Sequence, residues 1–266
     1  MNMGGDGEAS WPEPGRPLLL QDLSWPQVAV SAAANGGLCL LPVGATEQHG
    51  RHLPIGTDAM IASAICHAAS ARTGVAVLPT LWYTSSQGHT DKWPGTFALS
   101  PRLLVESIVE LSRWLRASDF KKLLIVNAHG GNVGALRLAV DEIRVAGGLQ
   151  VGLISWFDLS PEITGTVFSD GADVHANDAE TSLLLHLHPE MVDVDAIEDD
   201  ADRTAGRVFT YTVAELSRDG VTGSPSRATA AKGSRLFEAV VQALAARILT
   251  ARAEEPPVLD EPGIPR

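Results

Sequence analysis

The chain has 266 residues, 45% of them hydrophobic and 20% charged, and a formal net charge of -12. That length allows one large domain or two small ones with an ample core, in a composition ordinary for a globular protein. The negative charge repels phosphate backbones and anionic bilayers, so neither nucleic acid nor a membrane is expected as a partner. No segment has the pattern of a signal peptide, and no apolar run is long enough to span a bilayer. Cys39 and Cys66, the only cysteines, each lie in an apolar run. They read as buried thiols of a reducing compartment rather than a disulfide. A cytoplasmic protein is expected.

Residues 1–16, rich in Gly, Pro and Glu, predict a loose N-terminal tail, and residues 253–266 predict a Pro-rich C-terminal one. Residues 17–252 between them read as one catalytic domain. Leu38–Val43 (LCLLPV) predicts a buried strand and Ala59–Ala71 a helix. Val75–Pro79 predicts a second strand. In Pro101–Leu115 the residues Leu104, Ile108, Leu111 and Leu115 recur at helical spacing behind a first-turn proline. Leu123–Asn127 predicts a third strand, Val133–Val145 a helix stopped by Gly147 and Gly148, and Val151–Trp156 a fourth strand. Ala179–Leu187 and Gly233–Thr250 predict later helices. Apolar strands alternating with helices mean an α/β fold, a mostly parallel sheet covered on both faces as a three-layer sandwich. Such sheets place their sites at the carboxyl ends of the strands.

Four clusters carry chemistry. EQHGRHLPIGTD, residues 47–58, starts where the first strand ends. In an extended segment Glu47 and His49 point to one side, and Asp58 returns after a loop with Pro54 and Gly56. Carboxylates mixed with imidazole suit zinc, manganese or iron. Taken singly, Asp58 is equally a helix cap and His49 a loop histidine. NAHGGN, residues 127–132, follows the third strand; the glycines and a capping Asn132 explain a tight turn but leave His129 unexplained. DVHANDAETS, residues 173–182, offers His175 for proton transfer and Glu180 as a further ligand, while Asp178 reads as a helix cap. His186 and His188, at the end of that helix, read as structural. SSQGHTDKWPGT, residues 85–96, lacks periodicity and suits a substrate-lining loop or a solvated one. Ser85, Ser86, His89 and Trp93, with Trp156 in the middle of the chain, are the candidate substrate-binding side chains.

The order EQHGxHLPxxTD, a loop ending in PGT, NxHGGN and HAxxxETS resembles the creatininase (creatinine amidohydrolase) family, from about Leu38 to Ile248. The resemblance implies an α/β/α fold, a centre of two divalent ions (zinc or manganese, with iron possible) and a homo-oligomer, a hexamer. Carried over by position, Glu47 and His129 hold one ion and His49 the other, Asp58 bridges both, and His175 shuttles protons. The implied reaction is hydrolysis of a carbon–nitrogen bond in an amide, cyclic amide or formamide, with a metal-bridging hydroxide as nucleophile. The family glutamate two residues beyond the histidine is here Gly131, which makes Glu180 the candidate replacement ligand and a site of three carboxylates. Pocket positions that creatininase fills with Trp, acidic residues and Tyr are here Gly171, Ala172, Val174 and Gly130, which points away from creatinine itself. GNVGAL and ETSLLLHL are similar to the family's mycofactocin precursor peptide peptidases, so a peptide peptidase is the alternative substrate class. A metal-binding member without catalysis is the rival from another class.

Overall fold

The computed structural model describes residues 15–90 and 92–256. Its four strands, β1 (Leu38–Val43), β2 (Ala76–Val77), β3 (Lys122–Asn127) and β4 (Gln150–Ser155), form one sheet in the order β2-β1-β3-β4. Every pairing among them is parallel. Alternation along each strand sends side chains to both faces. Leu38, Leu40, Leu124 and Val126 enter one apolar layer; Cys39, Leu41, Val43, Leu123 and Ile125 enter the other. Because both faces are buried, the strands are apolar throughout instead of alternating with polar residues. Each fully buried aliphatic side chain contributes roughly 1.5–3 kcal/mol.

The helices are α1 (Trp25–Ala33), α2 (Thr57–Thr73), α3 (Pro101–Ala117), α4 (Val133–Ala146), α5 (Pro161–Val167), α6 (Asp178–Leu187), α7 (Val213–Leu216) and α8 (Ala230–Ala253). Residues of α3 and α4 fill the second layer, whereas α2, α6 and α8 fill the first. Their starts carry side-chain caps. Ser100, Ser160, Asn177 and Thr229 accept from the third residue beyond, and Ser24 with Gln27 forms a capping box. Asn177 thus caps α6 where Asp178 was expected to; Asp178 instead pairs with Lys232 Nζ at 2.7 Å and so ties α6 to α8. The N-terminal tail expected over 1–16 and the Pro-rich tail over 253–266 lie mostly outside the described residues.

β2 is shorter than the five residues the sequence suggests. Leu78 N–H still donates to Leu40 O at 2.9 Å, but Pro79 has no N–H to continue the ladder. β4 ends at Ser155, and Trp156 begins a turn of 3-10 helix. No described helix is long and apolar enough to cross a membrane.

Candidate metal centre

The carboxyl ends of β1 and β3 and the start of α6 deliver the polar residues to one place. At Gly44, directly after β1, a Cβ would lie 2.3 Å from Ala59 N. Only glycine lets the first turn of α2 close on the strand end, and that approach brings Asp58 against Glu47 and His49. After β3, Asn127 braces the next turn: its Nδ2 donates to His129 O at 2.8 Å, and its Oδ1 accepts from His129 N at 3.2 Å. Asn132, expected to cap α4, makes no cap bond. Its Nδ2 donates to Gly44 O at 2.8 Å and its Oδ1 accepts from Ser85 N at 3.1 Å, so it stitches three site loops together.

Asp58 sits between two histidines. Its Oδ1 is 3.3 Å from His49 Nε2 and its Oδ2 3.4 Å from His129 Nδ1. Glu47 Oε1 lies 3.2 Å from His129 Nδ1, 3.5 Å from His175 Nδ1 and 3.7 Å from His89 Nε2. Glu180 Oε2 is 4.0 Å from His49 Nε2 and also accepts from Ala176 N at 2.7 Å. Three trios have ligand atoms within 4.8 Å of one another: Glu47, Asp58 and His129; His49, His175 and Glu180; Glu47, His89 and His175. Glu47, His49 and Asp58 are essentially inaccessible to solvent.

The hydrogen bonds behind these rings fix where their protons are. His49 Nδ1 donates to Glu47 O (3.1 Å), His129 Nε2 to Ser85 O (3.0 Å) and His175 Nε2 to Gln48 O (2.7 Å). Each inner ring nitrogen is therefore a lone pair aimed at carboxylate lone pairs. Glu47 Oε1 and Oε2, His49 Nε2 and Asp58 Oδ2 are buried without any hydrogen-bond partner. Such a set repels itself unless a cation sits among it, and imidazoles pinned from behind are the usual outer support of a metal centre. In the absence of metal the cation is a proton. Burial alone pushes both imidazoles down, but Asp58 beside His49 and Glu47 beside His129 raise them, to about 10 and about 9. Burial raises Glu180 to about 7 despite His49, with Asp58 and Glu47 adding to the rise. Burial would also lift Glu47, but His129, His89 and His175 hold its carboxyl well below the usual range. His175 is held neutral by burial and by His49 and His89. The donor set of carboxylate oxygens and imidazole nitrogens fits zinc or manganese.

The comparison with known proteins agrees with this chemistry. Residues 21–248 match the creatininase family, described as creatinine amidohydrolase. The chain belongs to the creatininase family. It is 30% identical to creatinine amidohydrolase of Pseudomonas putida over 90% of this chain and 98% of the relative. It is 37% identical to the mycofactocin precursor peptide peptidase of Mycolicibacterium smegmatis over 79% of this chain and 84% of the relative. Two solved creatininases, a manganese form and a mutant of Zn-Zn type, superpose with TM-score 0.76 at 28% identity and cover 90% of this chain. They cover 100% and 99% of their own chains. The fold is that of creatininase, and the chain is an enzyme of this amidohydrolase family.

Against the creatininase pattern, position 131 carries the main departure. A Cβ on Gly131 would lie 2.4 Å from His129 Nε2 and 2.9 Å from Ser85 O, so the bond that pins His129 occupies the space of a side chain there. Ser85 and Ser86, assigned from sequence to the substrate, are buried supports of His129. Ser85 O accepts from its ring, Ser85 Oγ donates to Gln87 Oε1 at 2.8 Å, and Ser86 Oγ is 3.4 Å from His129 Nε2. Trp156 is 1% exposed and lies in the apolar layer with Leu159 and Ile163, a core residue rather than a pocket wall. Trp93 is half-buried, with Lys92 Nζ 4.6 Å above its ring. His89 does join the cluster. His186 lies against Phe237 of α8, with ring centroids 5.6 Å apart and planes tilted by 53°. Two contributors escaped the sequence reading. Gln48 contacts His89 and His175, and buried His52 meets Thr181 Oγ1 at 2.9 Å beside Glu180. Their only sequence signal is their place inside EQHGRH, between residues singled out as ligands.

Proposed function

We propose that this member of the creatininase family hydrolyses an amide carbon–nitrogen bond at a centre of two divalent ions. The observation that carries the reading is the buried, unpartnered set of Glu47, His49 and Asp58, whose lone pairs converge on one another. Glu47, Asp58 and His129 would hold one ion; His49, Asp58 and Glu180 the other, with Asp58 shared. Bound there, zinc or manganese supplies Lewis acidity toward a carbonyl oxygen and makes water a nucleophile near neutral pH. The protein's own residues do the rest. His175, neutral and fixed by its Nε2–H bond to Gln48 O, turns an unprotonated Nδ1 toward the centre. From there it takes a proton from the attacking water and returns it to the departing nitrogen. Burial of the cluster excludes bulk water from these exchanges.

A peptide amide is the second reading, and one feature favours it over a compact cyclic amide. Gly130 is exposed and a Cβ there would meet nothing within 4 Å, so position 130 raises no wall against an extended substrate. Peptidase relatives share 35–37% identity with this chain. The test is hydrolysis of creatinine, other small lactams, N-formyl compounds and short peptides by zinc- or manganese-loaded protein, with metal counted per chain. Turnover of a peptide but not a lactam selects the second reading. Tight metal retention with no turnover of any compound refutes both in favour of a non-catalytic member.

A further inference from the structure

Gln48 lies between two proposed ligands in the sequence, yet its amide bonds to none of the carboxylates. Its Oε1 accepts from Gly50 N at 3.0 Å and its Nε2 donates to Gly220 O at 3.2 Å. Turning the amide over would set oxygen against the Gly220 carbonyl and NH2 against the Gly50 N–H, so these two bonds fix its orientation. The second amide hydrogen then has two imidazole nitrogens within 3.1 Å, His89 Nδ1 and His175 Nε2. His175 Nε2 already carries its own hydrogen to Gln48 O, at 2.7 Å, and has no lone pair to offer. The hydrogen goes to His89 Nδ1. Neutral His89 must therefore carry its proton on Nε2.

This sets His89 apart from the other three histidines of the cluster. They present lone pairs, which suit a metal; His89 presents a hydrogen, which a metal cannot use. Its Nε2 is 3.7 Å from Glu47 Oε1, too far for a hydrogen bond, and no other described residue accepts from it. The His89 side chain keeps 11% exposure where Glu47 beside it has 0%, so His89 lies toward the open side of the centre. An N–H held in one tautomer next to the ions is placed for an oxygen that gains charge during reaction. We infer that Gln48 is a positioning residue that fixes His89 in its Nε2–H form, and that His89 donates this hydrogen to the carbonyl oxygen of the substrate amide. The inference rests on the hydrolase reading for the second half and on geometry alone for the first.

The experiment is a long-range 1H–15N correlation on zinc-loaded, 15N-histidine-labelled protein, with His89 assigned by its absence in His89→Phe. The wild type should show His89 protonated on Nε2 and bare on Nδ1. Gln48→Glu, whose carboxylate only accepts, should move the hydrogen to Nδ1; Gln48→Met, which neither donates nor accepts strongly, should give a mixture. In Gln48→Glu and His89→Phe alike, kcat on whichever amide the wild type turns over should fall by on the order of 10²-fold or more, with zinc per chain unchanged. A wild-type Nδ1–H form, or an unchanged tautomer in both Gln48 variants, overturns the inference. So does loss of zinc in step with activity, which would make Gln48 and His89 props for Glu47. Because the tautomer is read without turnover, a protein that shows Nε2–H yet cleaves no amide refutes the hydrolase reading and the donor role while upholding Gln48's hold on His89.

Discussion

Gly131→Glu restores, in sequence, the ligand that the creatininase pattern places two residues after the histidine, and it should weaken the centre. The new Cβ would come within 2.4 Å of His129 Nε2 and 2.9 Å of Ser85 O. Ordinary contact begins near 3.4 Å, so relief takes a retreat of about an ångström at the ring and about half that at Ser85 O. Ser85 O is backbone, held through the Ser85 N–H bond to Asn132; the ring is what yields. Its retreat breaks the 3.0 Å bond from Nε2 to Ser85 O and swings Nδ1 out of line with Glu47 and Asp58. Losing an outer support of this kind costs about 10–100-fold in metal affinity, or about 1.4–2.8 kcal/mol. Competition between the protein and a chelator for zinc measures it, with Gly131→Ala as the control that adds the Cβ alone. Both variants should bind more weakly than the wild type. Tighter zinc binding by Gly131→Glu would refute the reasoning, because the introduced carboxylate would then ligate and Glu180 would lose its role.

Further outcomes follow from the same geometry. Glu180→Gln should lose about one metal per chain with its fold intact by circular dichroism; unchanged stoichiometry would leave Glu180 as a helix-start carboxylate worth roughly 0.3–1 kcal/mol. Asp58→Ala should abolish both metal content and turnover, since its two oxygens face His49 and His129 separately; full retention of either contradicts the shared-ligand arrangement. His175→Ala should keep its metals and lose about 10²–10⁴-fold in kcat, as expected for a general base. The raised values of His49, about 10, and His129, about 9, mean that the metal-free protein holds a proton on each at pH 7–8. Zinc must displace both, so affinity should rise with pH up to about 10, and calorimetry at pH 8, above the Glu180 value of about 7, should record about two protons released per chain in buffers of different ionisation enthalpy. A pH-independent affinity would show the two rings already bare.

The architecture was legible because its signals are local and redundant. LCLLPV and LLIVN are apolar at every position, which only a strand covered on both faces requires, and their Gly-rich exits point to the sheet's carboxyl edge. The ligand candidates stood out as charged or imidazole residues directly beyond those exits. What was not legible is who touches whom across the chain. Ser85 and Ser86 look like exposed polar loop residues, and nothing nearby in sequence says that a histidine 44 residues on rests on the Ser85 carbonyl. Trp156 looks like a pocket wall until α5 and α8 are folded over it. Asn132 and Asp178 fit the local rule for caps, but tertiary partners at Gly44, Ser85 and Lys232 claimed their side chains. α1, Trp25–Ala33, was missed although Ser24 and Gln27, which form its capping box, were its sign.

The pairing of β1 with β3 has a kinetic side. Leu38 aligns with Lys122 and Val43 with Asn127, so the strands that carry Glu47 and His129 meet only after a very long intervening loop has closed. Closure of that kind is slow, since chain entropy is lost before any contact repays it. The trio of Glu47, Asp58 and His129 therefore does not exist in early, locally structured states. Metal ions cannot use the complete trio as a template for folding; at that site they lock its product. Refolding in chelator should proceed at the rate seen in zinc, while unfolding should slow sharply once zinc is present.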